Sequence, residues 1–234
     1  MPETPDVPQH LDPKHLEKMR QEWDVRAREN ARHYVDTSRT DWTDDDFFAS
    51  GQKAIAEDIL SDMTNICQGK DPQQMRVLEI GCGAGRLTRA LGKIFGEVHA
   101  VDVSGEMVAQ ATRAVADLPH VQVYQNNGCD LAVLPNLEYD FAYSAIVFQH
   151  IASREVIESY VREVSRLLRP GGLFKFQVQG ATEMESPPGD TWLGVPYSPS
   201  QATAMALRCG FELRYHFGEG EQYFWLWFFK RPAA

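Results

Sequence analysis

Cysteine is scarce. Cys67, Cys82, Cys129 and Cys209 stand far apart in 234 residues, with no paired or metal-ligand spacing, which argues for free thiols and against a disulfide framework or a structural zinc. Positive charge is also in deficit. The 23 Lys and Arg against 33 Asp and Glu leave a formal net charge of −10, so the chain lacks the clustered cations that neutralise a phosphate backbone, and no nucleic-acid partner is expected. No run approaches the roughly 18 apolar residues of a membrane span. The start, MPETPDVPQHLDPKH, has neither an apolar signal core nor an Arg-rich amphipathic pattern, so no membrane association and a cytoplasmic location are expected. No internal repeat occurs, and nothing in the composition speaks to oligomeric state.

What is present suits one soluble α/β domain with a terminal extension, at 43% hydrophobic and 24% charged. Residues 1–11 are proline-rich, offer little to pack, and are expected to be disordered. Asp12 before Pro13 reads as a helix start, and Leu16, Met19, Trp23, Ala27, Ala31 and Tyr34 recur at helical steps, predicting one amphipathic helix. That stripe either packs as plain core or lies over a ligand mouth with Tyr34 facing it. Thr43 with Asp46 marks a second helix start, with Gly51 as an early break. Residues 12–74 thus read as a helical cap.

From Met75 onward short apolar strands alternate with helices, the pattern of a mostly parallel sheet covered on both faces. MRVLEI, EVHAV, VQVYQ, YDFAYSAIV and GLFKFQV read as strands, and FELRYHF with YFWLWFFK as an antiparallel hairpin. The last segment is apolar on both alternate faces, which places it inside the sheet. Residues 75–234 are therefore expected to form the core domain.

The stretch VLEIGCGAGRLT carries Glu79 and glycines at 81, 83 and 85 between the first strand and a helix. Such a turn lets a ligand approach backbone amides beyond the carboxyl ends of parallel strands. A dinucleotide fingerprint needs a small residue where Arg86 stands. The next strand ends in HAVDVS, placing Asp102 where a carboxylate can accept hydrogen bonds from two ribose hydroxyls.

On these residues the chain resembles the class I S-adenosylmethionine-dependent methyltransferases, over about Met75 to Lys230. The resemblance implies a Rossmann-like, three-layer α/β/α fold whose seven-stranded, mostly parallel sheet ends in an antiparallel strand inserted beside the fifth. It implies S-adenosyl-L-methionine as cofactor, with Glu79, Gly81, Cys82, Gly83 and Gly85 around the methionine part and ribose, Asp102 on the ribose hydroxyls, and Val103 and Met107 along the adenine. In the loop NNGCDLAVLP either Asn127 or Asp130 is at the right distance to meet adenine, and Gly128, Cys129 and Asp130 are taken together. Ser144, in YDFAYSAIVFQHI, joins the implied cofactor set, and RPGG after the fourth core helix also matches the family.

The sulfonium is an activated donor, so the protein has chiefly to align an acceptor and exclude water. The Asp/Asn-Pro-Pro-aromatic motif of nucleic-acid and amide methyltransferases is missing, as is a cluster of metal carboxylates and histidines, which leaves a small-molecule acceptor. His150 is the candidate catalytic base; a structural role at a helix start is its alternative. Residues 180–196 are long for a loop and form a candidate acceptor lid, with Trp192 and Tyr197 joining Tyr34 as substrate-facing residues. The expected function is methyl transfer to oxygen, nitrogen or sulfur of a small metabolite; the alternatives are a non-catalytic cofactor-binding regulatory module and a nicotinamide oxidoreductase.

Overall fold

The computed structural model describes residues 12–181 and 190–232; the expectation for residues 1–11 and the middle of the candidate lid lie outside them. Seven strands form one sheet in the order β3-β2-β1-β4-β5-β7-β6. β1 (Arg76–Ile80), β2 (Glu97–Asp102), β3 (Val121–Gln125), β4 (Tyr139–Ser144) and β5 (Leu168–Val178) run parallel. β7 (Phe224–Lys230) is antiparallel to both β5 and β6 (Phe211–Phe217) and lies between them. The hairpin and the interior position of β7 are as the apolar pattern requires, and its place beside β5 is as the resemblance implies.

Adjacent residues of a strand serve opposite layers. Leu78, Ala142, Phe174 and Phe228 join one buried cluster with Val161 and Val164 of α6 (Arg154–Leu167) and Met205 of α7 (Pro199–Arg208). Val77, Phe141, Leu173 and Phe229 join a second with Ile55 of α2 (Asp44–Asp58), Ile66 of α3 (Met63–Cys67) and Leu87 of α4 (Arg86–Leu91). Two apolar faces on one sheet require two helical layers, hence the α/β/α sandwich. Burying each such side chain is worth roughly 1.5 to 3 kcal/mol. In β7, Phe224, Leu226 and Phe228 face one cluster while Trp225, Trp227 and Phe229 face the other, so both faces of the strand pack against the core, the two indoles only in part.

The N-terminal helices depart from the sequence reading in two places. α1 (Pro13–Val35) begins as expected, with Asp12 accepting from the Lys14 N–H at 2.9 Å. It is not one straight helix, because Asn30 has extended dihedrals and its Oδ1 accepts from the His33 N–H at 3.2 Å. Asn30 therefore caps a separate last turn, which carries Tyr34 and Val35 in a new direction. α2 starts at the Thr43 cap, but Gly51 does not break it. Gly51 is buried in mid-helix because a Cβ there would collide with the Arg86 carbonyl; the glycine permits close α2–α4 contact instead of ending a helix. α5 (Gly105–Ala114), capped by Ser104, packs against α1.

Candidate functional site

The carboxyl ends of β1, β2 and β4, together with α1, form a partly open cleft. Its floor is the turn after β1. Gly81, Gly83 and Gly85 have φ of 76°, 52° and 85°, so the alternate-glycine spacing marks alternate left-handed residues, which side chains oppose. A Cβ on Gly83 would also lie 2.6 Å from Val35 Cγ2 at the end of α1. The amides of this turn are largely committed: Gly81 and Cys82 donate to the Val101 carbonyl at 2.8 and 3.0 Å, Gly83 to Asp102 Oδ2 at 2.9 Å, and Gly85 to the Cys82 carbonyl at 3.0 Å. The turn therefore offers close approach rather than open donors.

Two carboxyl groups flank it. Glu79 at the end of β1 is buried, and its Oε2 has no hydrogen-bond partner. Burial, reinforced by the charge of Asp102 and opposed by Thr88 and Arg86, pushes its pKa up to about 7. Asp102 at the end of β2 accepts from the Gly83 and Ser104 N–H groups, both at 2.9 Å. Burial raises it to about 6 despite those bonds. Each oxygen keeps a lone pair for a further donor. Arg86 also lines the cleft, buried, 3.4 Å from Asp36 and with Nε unpartnered.

The opposite side is aromatic. Trp23 and Tyr34 of α1 and His150, in the short turn after β4, line the cleft. Trp192 meets all three, with ring centroids at 6.5 Å from Trp23, 6.1 Å from Tyr34 and 5.1 Å from His150. The Arg26 guanidinium lies 4.8 Å over Trp23 and 5.5 Å over Trp192. Thr191, buried beside Trp192, donates to Glu22 and accepts from Arg26. The segment at 190–192 is thereby tied to α1.

Of the residues expected around a cofactor, Glu79, Gly81, Cys82, Gly83, Asp102, Val103 and Met107 line the cleft, and Gly85 shapes the turn from behind. Gly128, Cys129 and Asp130 do not line it. The reason is local: Asn127 Oδ1 accepts from the N–H groups of Cys129 and Asp130, and the Asp130 carboxylate takes Asn127 Nδ2 and the Ala132 N–H. The loop closes on itself, and Asn126 is the residue it presents to the cleft, with Oδ1 buried and unpartnered. Ser144 instead donates to the Ile80 carbonyl at 2.8 Å, joining β4 to β1.

Among the acceptor candidates Tyr34 and His150 line the cleft and Trp192 backs it, whereas Tyr197 belongs to the core with Ala202 and Met205. Its ring is buried there under Arg154. Met19, Trp23, Val35, Arg86, Asn126 and Ile146 were not singled out as site residues. The stripe of α1 carried the signal for Met19 and Trp23, and it serves as both packing and roof. Among the described residues no group of three or more His, Cys, Asp and Glu could hold a metal ion, and no helix is long and apolar enough to cross a membrane.

Residues 77–172 match the family described as "Methyltransferase domain". A malonyl-[acyl-carrier protein] O-methyltransferase of Enterobacter lignolyticus is 32% identical over 47% of this chain and 41% of its own length. A ubiquinone biosynthesis O-methyltransferase of Bradyrhizobium diazoefficiens is 29% identical over 42% of this chain and 38% of its own. The match thus spans less than half the length of these curated relatives. Among solved structures, a DhpI–SAH complex superposes with a TM-score of 0.66 at 20% identity, covering 95% of this chain and all of that one. Magnesium protoporphyrin IX methyltransferase of Synechocystis with bound SAM gives 0.67 at 14% identity, covering 96% and 100%. At these identities the superpositions show the fold.

Proposed function

We propose that the chain, whose residues 77–172 match a methyltransferase domain, is a class I S-adenosylmethionine-dependent methyltransferase, that its cleft binds S-adenosylmethionine, and that it transfers the methyl group to a small-molecule acceptor in the cytoplasm. The observation carrying this reading is the pairing of Glu79 and Asp102 across a left-handed glycine turn in one cleft. A buried carboxylate with an unpartnered oxygen suits a cationic, donor-bearing ligand, and the spare lone pairs of Asp102 suit vicinal hydroxyls. Val103, Met107 and Met19 supply an apolar slot for a planar base.

S-adenosylmethionine, when bound, supplies a methyl group already activated on sulfur. The chain's own residues bind, orient and exclude water. Holding the acceptor in line and dry can contribute several kcal/mol to lowering the barrier. Trp23, Tyr34 and Trp192 form the wall against which an acceptor would lie, which favours a planar or apolar small molecule over a polyanion. That the two curated relatives above are named O-methyltransferases supports an oxygen atom as the first to test.

Calorimetry with S-adenosylhomocysteine tests the cofactor half. Asp102→Ala is expected to bind about ten- to hundredfold more weakly, from the loss of charge-assisted hydrogen bonds worth roughly 1.5 to 3 kcal/mol. Parental affinity in that variant would remove the ribose assignment. A screen of candidate metabolites with labelled S-adenosylmethionine, read by mass spectrometry, tests transfer; binding without any methylated product would favour a regulatory module.

A further inference from the structure

Ile146, two residues beyond β4 and part of the cleft wall, has φ 59°, a left-handed conformation that a β-branched residue keeps only under constraint. Its N–H donates to Gln177 Oε1 at 3.0 Å. Gln177 Nε2 donates in turn to Gln149 Oε1. Gln149 Nε2 lies 3.2 Å from His150 Nε2, and His150 Nδ1 lies 2.6 Å from the Trp192 carbonyl oxygen. The three side chains are 1%, 2% and 6% exposed.

Both ends of this chain of bonds have fixed polarity. A backbone N–H can only donate and a carbonyl oxygen can only accept. Gln177 must therefore turn its carbonyl toward Ile146 and its amide nitrogen toward Gln149; Gln149 must then present its own nitrogen to His150. It follows that His150 Nε2 accepts, and that the imidazole proton sits on Nδ1 and is donated to Trp192. Neither amide orientation nor the tautomer remains free.

We propose that Gln177 and Gln149 are positioning residues: they hold His150 as a neutral imidazole protonated on Nδ1, and through it fix Trp192 against the acceptor side of the cleft. Both nitrogens are then occupied, so His150 shapes the cleft and does not remove the acceptor's proton. Its importance for methyl transfer rests on the cofactor reading above; the hydrogen-bond direction does not. An imidazolium would have to donate from Nε2 as well, and Gln149 cannot accept there without abandoning Gln177.

The surroundings agree. The groups facing His150 are Arg26, whose charge disfavours protonation, and Asp190, whose charge favours it, with Glu22 beyond Thr191 on α1. Burial, helped by Arg26, outweighs the Trp192 carbonyl hydrogen bond and Asp190, which both favour protonation, and lowers the pKa to about 4. The neighbouring chain is also docked independently of His150, since the Val195 N–H donates to the Ile151 carbonyl at 3.1 Å.

The test is long-range nitrogen–proton correlation NMR on protein labelled with ¹⁵N-histidine, the His150 signals being assigned by their loss in His150→Gln. Expected are the Nδ1–H pattern and no titration between about pH 5 and 8. In Gln177→Glu the carboxylate can only accept, from Ile146 and from Gln149, so the Gln149 amide turns its oxygen to His150 and the imidazole should titrate at least about one pH unit higher. Gln149→Glu places a carboxylate directly beside Nε2 and should raise it as well, which keeps the test open if Gln177→Glu fails to fold. An Nε2–H tautomer in the parent, titration near 6.5, or an unchanged pKa in the folded variants would overturn the proposal. S-adenosylhomocysteine calorimetry on the same samples separates the two readings: a parent that does not bind it loses the cofactor assignment while the tautomer result stands.

Discussion

The floor of the cleft comes from one continuous stretch, residues 79–107, whereas its roof is gathered from α1, the turn after β4 and residues 190–192. The floor is rigid by backbone: three left-handed glycines, with Asp102 bonded to two amides. The roof is held by side chains: Trp23, Tyr34, His150 and Trp192 edge to face or tilted, with Arg26 bridging the two indoles. A floor of that kind suits a ligand that does not vary, and a roof of that kind can be re-cut for different acceptors without disturbing the sheet. Substitutions on the two surfaces should therefore fail in different ways.

The largest expected effect is on the floor. Gly83→Val puts a β-branched residue at φ 52° with its Cβ against Val35 and the cleft, combining backbone strain with lost space. Affinity for S-adenosylhomocysteine should fall by about a hundredfold or more. Calorimetry gives the affinity, and circular dichroism on the same sample shows whether the fold survives. A folded variant that binds as the parent does would place the ligand away from this turn.

The roof should respond differently. Trp192→Ala removes ring contacts to Trp23, Tyr34 and His150, each worth roughly 0.5 to 1.5 kcal/mol, but leaves the carbonyl that His150 donates to. With an acceptor from the metabolite screen, KM for that acceptor should rise about tenfold while cofactor affinity stays within a few-fold. If cofactor affinity fell as far as the acceptor's, floor and roof would form one binding surface and the contrast would fail.

The same contrast explains what was legible beforehand. That Glu79, Gly81, Gly83 and Asp102 meet at one cleft was readable because a local backbone conformation writes itself into consecutive residues: a left-handed turn selects glycine, and a strand end selects the residue that faces outward. The sheet was legible for a similar reason, its apolar alternation specifying which strands have two covered faces. The roof had no such local mark. Trp23 and Trp192 are 169 positions apart and meet only after α1 folds across the cleft, and the bend that brings Tyr34 and Val35 in depends on one asparagine in an otherwise regular helical stripe. Gln149 and Gln177 look like ordinary polar residues until their burial shows that each bond must be made. Asp130 shows the converse: a loop carboxylate that suits a ligand suits its own turn equally well, and here it bonds within that turn.

The smallest expected effect is a proton linkage that only the floor should show. Glu79 and Asp102 have pKa values raised to about 7 and about 6, chiefly by burial. Carboxyl groups raised in the folded state favour folding most at low pH, and that contribution is lost as pH rises through their folded values. Ligand binding has the opposite sign, because cationic and hydroxyl donors stabilise the ionised carboxylates and lower both pKa values. Affinity for S-adenosylhomocysteine should then increase by a few-fold to about tenfold between pH 5.5 and 7.5, with release of a fraction of a proton near pH 6.5. Calorimetry in buffers of different ionisation enthalpy measures that release directly. Asp102→Asn should remove the part due to Asp102 and, because the Asp102 charge helps to raise Glu79, move the part due to Glu79 to lower pH, whereas Trp192→Ala should leave the whole profile in place. A pH-independent affinity with no proton exchange in the parent would mean that neither carboxylate meets the ligand, and the floor would lose its assignment even if the glycine turn kept its own.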